Sequence, residues 1–337
     1  MKWLWEQRNR SGAKYFSSNN SMNVRFLFLI FMIVLFVAAP ANAQLAGTPG
    51  AFSRLGFGAR GMGMGNALTA VVDGDITSFY NPAVTPFLTD RVAAVSYGLL
   101  SLDRSLNTLS YSQAIRPSAG FSVGIVNAGV RKIDGRDADG YQTGDLFTSE
   151  NQFSFSFANR MSKVISLGIA LKIYYYRLYE NVSSTDLGID AGGIARLSNN
   201  LTLGIVVQDI GSKYKWDTSN LYGDQGNSTV EPFPLLRKIG LSYAFNDSAG
   251  LLSLDFENSN KNTNIIRMGG ELYLSDMFTV RAGLDHWDTQ EPAQAAPTFG
   301  FTVRTSSDKL TPVINYAYVI EPYGLFGMHI ISLSTRF

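Results

Sequence analysis

The sequence predicts an all-β membrane protein: a fourteen-stranded antiparallel outer-membrane β-barrel preceded by a short, partly helical N-terminal segment. Three observations carry that prediction. The last seven residues, Ile331-Ser332-Leu333-Ser334-Thr335-Arg336-Phe337, alternate with period two and stop on phenylalanine, which gives a closing strand one lipid-facing and one lumen-facing row. From about Arg91 the chain breaks into fourteen alternating segments separated by turn residues. The composition is 45% hydrophobic and only 16% charged, against about a quarter charged in ordinary soluble chains. Yet no apolar run reaches the roughly twenty residues of a spanning helix.

In chain order, residues 1–43 read as an export signal. Lys2, Arg8, Arg10, Lys14 and Arg25 precede the unbroken apolar run Phe26 to Ala39, and Ala41-Asn42-Ala43 offers an A-x-A cleavage site before Gln44. The run is short for a spanning helix; an uncleaved anchor is the alternative. Met22-Asn23-Val24-Arg25 would open a signal of ordinary length, so Met22 is a second candidate start. Cleavage removes five basic residues and one acidic one, leaving 23 Lys+Arg against 26 Asp+Glu, a net of −3. That balance excludes the broad basic field of a nucleic-acid binder. The lack of cysteine excludes a disulfide framework and a thiolate metal site.

Residues 44–90 do not alternate and stand apart from the barrel pattern. Gly56 to Ala67 is glycine-rich, Leu68 to Val72 is apolar, and Asp73-Gly74-Asp75 leads through Ile76 to Tyr80 into Asn81-Pro82-Ala83. This pattern predicts a glycine-rich turn and one or two short helices, Pro82 limiting the second. No strand precedes the glycines and no lysine follows, so a phosphate-cradling loop is rejected. Their spacing instead lets the segment pack closely on a barrel wall. Arg60, Gly61, Gly63, Gly65, Asn66, Asn81 and Pro82 are the candidate hatch motif.

Residues 91–337 form the barrel, with strands expected at 91–98, 106–116, 119–130, 149–159, 164–178, 186–197, 200–210, 236–246, 249–258, 264–275, 277–286, 297–305, 310–320 and 327–337. Every second connection is short, as at Pro117-Ser118 and Ser198-Asn199, and those between are mostly longer, as at 131–148, 211–235 and 287–296. Short periplasmic turns alternating with longer external loops is the barrel rule, and an even strand count puts both barrel ends on the periplasmic side.

The alternation assigns faces. Phe153, Phe155 and Phe157 oppose Gln152, Ser154 and Ser156; Leu252, Leu254 and Phe256 oppose Ser253, Asp255 and Glu257. Met268, Leu272 and Leu274 oppose Arg267 and Glu271, and Val280, Ala282 and Leu284 oppose Arg281 and Asp285. A lipid-facing Arg or Lys near the midplane costs about 2–4 kcal/mol, so the charged rows face inward. Asp255, Glu257, Arg267, Glu271, Arg281 and Asp285 then form a patch across three successive strands. It is either an ion-pair lattice filling the lumen or a selectivity-setting lining.

Catalytic and metal chemistry is not expected. His286 sits at a strand end beside Asp285, His329 near the start of the last strand, and no G-x-S-x-G elbow accompanies either. Nothing in the spacing brings the two together as a metal site. Asp134, Asp137, Asp139 and Asp145 share one loop with glycines, but their spacing does not match an EF-hand. In 211–235, Tyr214, Trp216, Tyr222, Pro232 and Phe233 read as interface anchors, with partner contact as the alternative.

The run from Gly58-Ala59-Arg60 through Met64-Gly65-Asn66-Ala67 to Tyr80-Asn81-Pro82-Ala83 resembles the N-terminal motif of the PorV/PorQ family, within the FadL-like outer-membrane barrels. Leu187 to Asp190, Leu203 to Gly211, Pro232 to Leu235, Ile239 to Tyr243 and His329 to Ser334 are similar to later family segments, so the resemblance spans nearly the whole processed chain. It implies a hatch plugging a fourteen-stranded barrel in the bacterial outer membrane. It also implies, as the first functional expectation, an accessory or shuttle role in type IX secretion, with loops 131–148 and 211–235 meeting secreted cargo or a surface-attachment complex. The alternative is FadL-like passive transport of a hydrophobic small molecule past the hatch, by inward tyrosines such as Tyr174 and Tyr176. A structural outer-membrane role is the third. The other expected partners are outer-membrane lipids and the barrel-assembly machinery, for which Ile331, Leu333 and Phe337 are the candidate signal. No cofactor, enzymatic activity or nucleic-acid partner is expected.

Overall fold

The computed structural model describes residues 47–245, 249–289, 295–305, 311–321 and 327–337. The export signal expected at 1–43 and the first three hatch residues lie outside the described residues. Among the described residues no helix is long and apolar enough to cross a membrane.

Fourteen strands close into one antiparallel barrel. They are β1 (Val92–Leu99), β2 (Arg104–Ile115), β3 (Ala119–Arg136), β4 (Gln142–Arg160), β5 (Ile165–Tyr179), β6 (Val182–Arg196) and β7 (Leu201–Ile210). A separate hairpin of β8 (Lys213–Asp217) and β9 (Ser228–Pro232) follows, with a single helical turn, Ser219–Tyr222, between its arms. The barrel resumes with β10 (Leu236–Ala244), β11 (Gly250–Ser259), β12 (Asn264–Tyr273), β13 (Phe278–Asp288), β14 (Ala296–Arg304), β15 (Thr311–Val319) and β16 (Met328–Arg336). β16 pairs back onto β1, Val92 opposite Arg336 and Leu99 opposite His329, so no edge strand is left unpaired.

Most expected bounds agree within two residues. The exceptions lie at the end away from the barrel termini. The loop expected at 131–148 is largely strand, because β3 and β4 pair from Ala119–Asn159 up to Arg136–Gln142 across a bulge between Val130 and Ile133. β6 likewise starts at Val182, four residues earlier than its alternation suggested. Above the membrane both faces of a strand are wetted, so the apolar/polar signal fades while the ladder continues.

The outward rows form an apolar belt: Phe153, Phe155, Phe157, Leu254, Phe256 and Leu274 are all exposed. Ser253, Asp255, Glu257, Arg267, Glu271, Arg281 and Asp285 are buried inside. β13 departs from clean alternation, since Ala282 and Leu284 are buried as well as Arg281 and Asp285.

The hatch fills the lumen. It contains a 3-10 turn at Ala51–Arg54, helix α1 (Gly58–Gly63), helix α2 (Thr77–Tyr80) and a second 3-10 turn at Pro82–Phe87. The glycine-rich stretch is helical over Gly58–Gly63 and turns at 64–66, and α2 stops before Pro82 as expected. Phe57, Met62, Met64, Leu68, Ile76 and Phe79 pack with Leu106, Val126, Tyr174 and Ile330 of the wall. Close approach is what the glycines provide: a Cβ on Gly65 would lie 2.6 Å from the Leu284 carbonyl oxygen, and one on Gly204 2.1 Å from that of Thr69.

Candidate functional site

A charge on an inward row is stable only with a partner, because water is excluded there. The six charged residues of β11, β12 and β13 meet that condition with help from the hatch. Arg267 places Nη1 2.9 Å from Glu257 Oε2 and Nε 2.7 Å from Asp285 Oδ1. Lys238 of β10 adds a 2.9 Å contact to Glu257. Glu271 is held by Arg60 of α1, Nε to Oε1 at 2.6 Å, with Arg281 Nε 3.9 Å away. Five of the six, Glu257, Arg267, Glu271, Arg281 and Asp285, thus form a buried ion-pair lattice and not a solvent-facing lining, while Asp255, also buried, makes no ion pair among the described residues.

The same lattice seats the hatch. Asn66, at φ 57°, donates from Nδ2 to Asp285 Oδ2 at 2.6 Å. Its Oδ1 accepts from the Tyr80 hydroxyl at 2.6 Å, and that hydroxyl accepts from Phe57 N at 2.8 Å. Asp255 accepts from Thr69 N at 2.9 Å. Asn81 caps the turn that Pro82 opens, accepting from Ala83 N at 3.0 Å, while its Nδ2 donates to Thr69 O at 2.8 Å and Gly193 O at 3.2 Å. Ser332 of β16 accepts from Ala59 N at 2.7 Å, and Ser242 of β10 donates to Ala70 O at 2.9 Å. Gly61 and Gly63 lie on α1, where a Cβ would meet the Tyr80 ring or the Arg281 side chain.

The contacts are unevenly distributed around the wall. Hydrogen bonds tie residues 56–88 to β2, β6, β7 and β10 to β16. Among the described residues none ties them to β3, β4 or β5, which meet the hatch through apolar and close backbone contact, as where Gly120 faces Thr85 and Gly168 faces Ala83. On that sector Gln152 is fully buried and neither its amide nitrogen nor its oxygen has a partner among the described residues.

At the outer end of β5 aromatic rings join the hatch to the β8–β9 hairpin. Phe52 of the hatch meets Tyr174 edge-on at 6.3 Å; Tyr174 and Phe233 lie at 4.8 Å, Phe233 and Tyr214 at 4.8 Å, Tyr214 and Trp216 at 5.3 Å, and Trp216 and Tyr176 at 5.2 Å. The β8–β9 hairpin therefore folds inward, β8 donating from Lys213 N to Asp186 and from Lys215 N to Ser184 on the inner row of β6. This corrects the interface-anchor reading of Tyr214 and Phe233, both buried; Tyr222 alone of the loop's large aromatics is well exposed. A polar tip that finds a partner is what lets Tyr214 enter: its hydroxyl donates to Glu150 Oε2 at 3.0 Å, and burial, with Glu150 adjacent, pushes its phenol up.

Beneath the rings lies a cluster that the sequence reading missed. Lys172 Nζ is 2.7 Å from Asp190 Oδ2 and 3.1 Å from Asp209 Oδ1, and the Tyr174 hydroxyl donates to Asp209 at 2.6 Å. Asp209 sits at φ 62° where the β6–β7 register shifts, and its N–H bonds the Asp190 carboxylate at 2.9 Å. The signal was present: Lys172 and Asp190 fall on inward rows, and an inward charge demands an opposite one.

The remaining expected residues separate. Ile331, Leu333 and Phe337 point outward on or just beyond β16, exposed. His286 pairs with Asp285 at 2.9 Å and His329 with the Tyr316 hydroxyl at 2.8 Å, on different strands. Asp134 pairs with Arg136, and among the described residues no group of His, Asp or Glu could hold a metal ion.

Fold and site define a class: a closed fourteen-stranded β-barrel of the outer-membrane type, plugged by its own N-terminal hatch. Solved structures of that class share the fold. The Pseudomonas putida toluene transporter TodX superposes with a TM-score of 0.57 at 12% identity, over 83% of this chain and 96% of that one. CymD, a monoaromatic hydrocarbon channel, gives 0.57 at 14%, over 84% and 97%. A Pseudomonas aeruginosa FadL homologue gives 0.55 at 15%, over 89% and 99%. The chain thus has the FadL-like barrel fold. No family model matches the sequence, and no curated protein matches it.

Proposed function

We propose that the protein is a passive outer-membrane channel for hydrophobic small molecules, aromatic ones among them, with movement of the hatch as the opening step. The observation that carries this is the continuous run of rings from Phe52 through Tyr174, Phe233 and Tyr214 to Trp216 and Tyr176. An aromatic mouth over a plugged, charge-balanced lumen favours apolar solutes over ions. Neighbours of the same fold are described as a toluene transporter and a monoaromatic hydrocarbon channel, which supports this reading.

The order of the two expectations is thereby reversed. The secretion-accessory role depended on external loops at 131–148 and 211–235. The first is mostly strand and the second turns its aromatics inward, and neither the structure nor its neighbours favour that role. With the channel reading go an outer-membrane location, a cleaved export signal, and insertion guided by Ile331, Leu333 and Phe337. The test is uptake of radiolabelled naphthalene by cells whose own hydrocarbon channels have been deleted. Expression should speed entry of naphthalene and leave a hydrophilic sugar unaffected. Equal naphthalene entry with and without the barrel overturns the reading.

A further inference from the structure

The outward face of β2, β3 and β4 carries a feature that passage through the lumen does not use. Leu109, Ile125 and Phe153 lie side by side in the exposed apolar belt. The next outward row is Asn107, Asn127 and Asn151. Asn107 Nδ2 donates to Asn127 Oδ1 at 3.2 Å, and Asn127 Nδ2 to Asn151 Oδ1 at 2.8 Å. Three adjacent amides do not face hydrocarbon, so the belt ends there and the row above it stands at headgroup height.

A cavity of about 260 Å³ opens at that height, lined by Ser105, Asn127, Gly129, Arg131, Phe147 and Ser149. Arg131 is exposed and among the described residues has neither a hydrogen bond nor an ion pair. Arg177 of β5 lays its guanidinium 4.5 Å from the centre of the Phe147 ring, again without a carboxylate partner among the described residues. Of the nearby acids, Asp134 pairs with Arg136 and Glu150 bonds Tyr214, while Asp145, across from Asp134, makes no ion pair with either arginine among the described residues. Arg131 therefore lines a cavity directly above the lipid-facing belt, and Arg177 stands against the Phe147 ring that shares its lining.

We propose that this cavity binds the phosphorylated saccharide headgroup of an outer-leaflet glycolipid. Arg131 and Arg177 take the phosphate, for which the guanidinium fork is matched, and Asn127 and Ser149 take sugar hydroxyls. Basic pockets at a membrane edge hold anionic headgroups, and the acyl chains would descend over Leu109, Ile125 and Phe153. That continuity with the belt is what assigns a lipid and not a free anion. The site is independent of the transport reading.

The test is native mass spectrometry of the full-length barrel in mild detergent, titrated with diphosphorylated lipid A. The wild type should retain one lipid, and the double variant Arg131→Gln/Arg177→Gln should bind it at least about tenfold more weakly, the effect of losing charged hydrogen bonds. Arg136→Gln, on the same arm, should bind like the wild type. Dephosphorylated lipid A should bind the wild type as weakly as the diphosphorylated form binds the double variant. Equal retention by wild type and double variant, or of both lipid A forms, overturns the site. Phosphatidylglycerol binding as tightly as lipid A overturns the saccharide assignment. If the double variant fails to fold, Arg131→Gln alone, at an exposed unpaired position, reports the same loss.

Discussion

Replacing Arg60 with methionine should release the hatch without unfolding the barrel. Arg60 is buried and bonds Glu271 at 2.6 Å and the Asp73 carbonyl at 2.5 Å. Methionine keeps the stem's volume but leaves Glu271 charged in a dry site, a loss of about 3–5 kcal/mol when one partner of a buried pair is removed. Arg281 still stands 3.9 Å from Glu271, which argues for the lower half of that range. Since a factor of ten is about 1.4 kcal/mol, the open population of the hatch should rise at least about a hundredfold. The strand ladder does not pass through Arg60, so the cost falls on hatch docking alone. Hydrogen exchange in detergent reads this directly, because local opening sets protection: amides of 58–68 should exchange faster while β11 and β12 keep their protection. Adding Glu271→Gln removes the stranded charge and should recover part of the protection. Unchanged exchange at 58–68, or no recovery in the double variant, would refute the clamp.

Three further perturbations probe other parts of the argument. Gly204→Ala drives a Cβ to 2.1 Å from the Thr69 carbonyl oxygen, so a reporter Thr69→Cys in a chain without native cysteine should change from maleimide-inert to reactive. Leu254→Arg puts a cation in the exposed belt and should cost about 2–4 kcal/mol in urea unfolding from lipid vesicles, whereas Asn258→Arg near the outer strand end should cost about 0–1. Phe233→Ala removes the ring over Gly50 and between Tyr174 and Tyr214; the Trp216 emission, read with Trp3, Trp5 and Trp287 replaced by phenylalanine, should shift to the red as the mouth hydrates, and an unmoved spectrum would count against the inward hairpin.

The barrel itself was legible because membrane strands write their two faces in alternate residues. Phe153, Phe155 and Phe157 against Gln152, Ser154 and Ser156 state both the strand and its orientation, and the cost of lipid-facing charge assigns Arg267, Glu271 and Arg281 to the lumen. What those charges meet was not legible, since Arg60 lies 211 residues from Glu271 and Asn66 lies 219 from Asp285. Alternation fixes a face but not a height, and pairing across the lumen depends on height. The same gap hid the meeting of Lys172, Asp190 and Asp209. The fate of 211–235 was hidden for another reason: an aromatic residue signals equally an interface belt, a partner site or a folded-in lid, and only the Tyr214–Glu150 bond and the β8–β6 contacts decide among them.

The uneven seating of the hatch has a consequence for how a solute passes. Separation from β10 to β16 requires breaking charge-assisted hydrogen bonds such as Asn66–Asp285 and Thr69–Asp255, each harder to replace in a dry lumen than a neutral contact. Separation from β3, β4 and β5 breaks no hydrogen bond among the described residues, only apolar and close backbone contact and the Arg160–Phe87 stacking, and the apolar part is what an apolar solute can itself restore. At that seam the Gln152 amide is buried without a partner among the described residues, a penalty of about 1–3 kcal/mol carried by the closed state and relieved when opening lets water reach it. Gln152→Leu should therefore stabilise the closed hatch, slowing exchange at Phe79 and its neighbours about five- to 150-fold, 1–3 kcal/mol expressed as a ratio. It should also slow naphthalene entry while making the seam more apolar. Affinity of the seam for an apolar solute would predict faster entry for the leucine variant; relief of a closed-state penalty predicts slower entry. Faster entry would show that the seam is limited by solute binding and that the unpaired amide does not set the barrier.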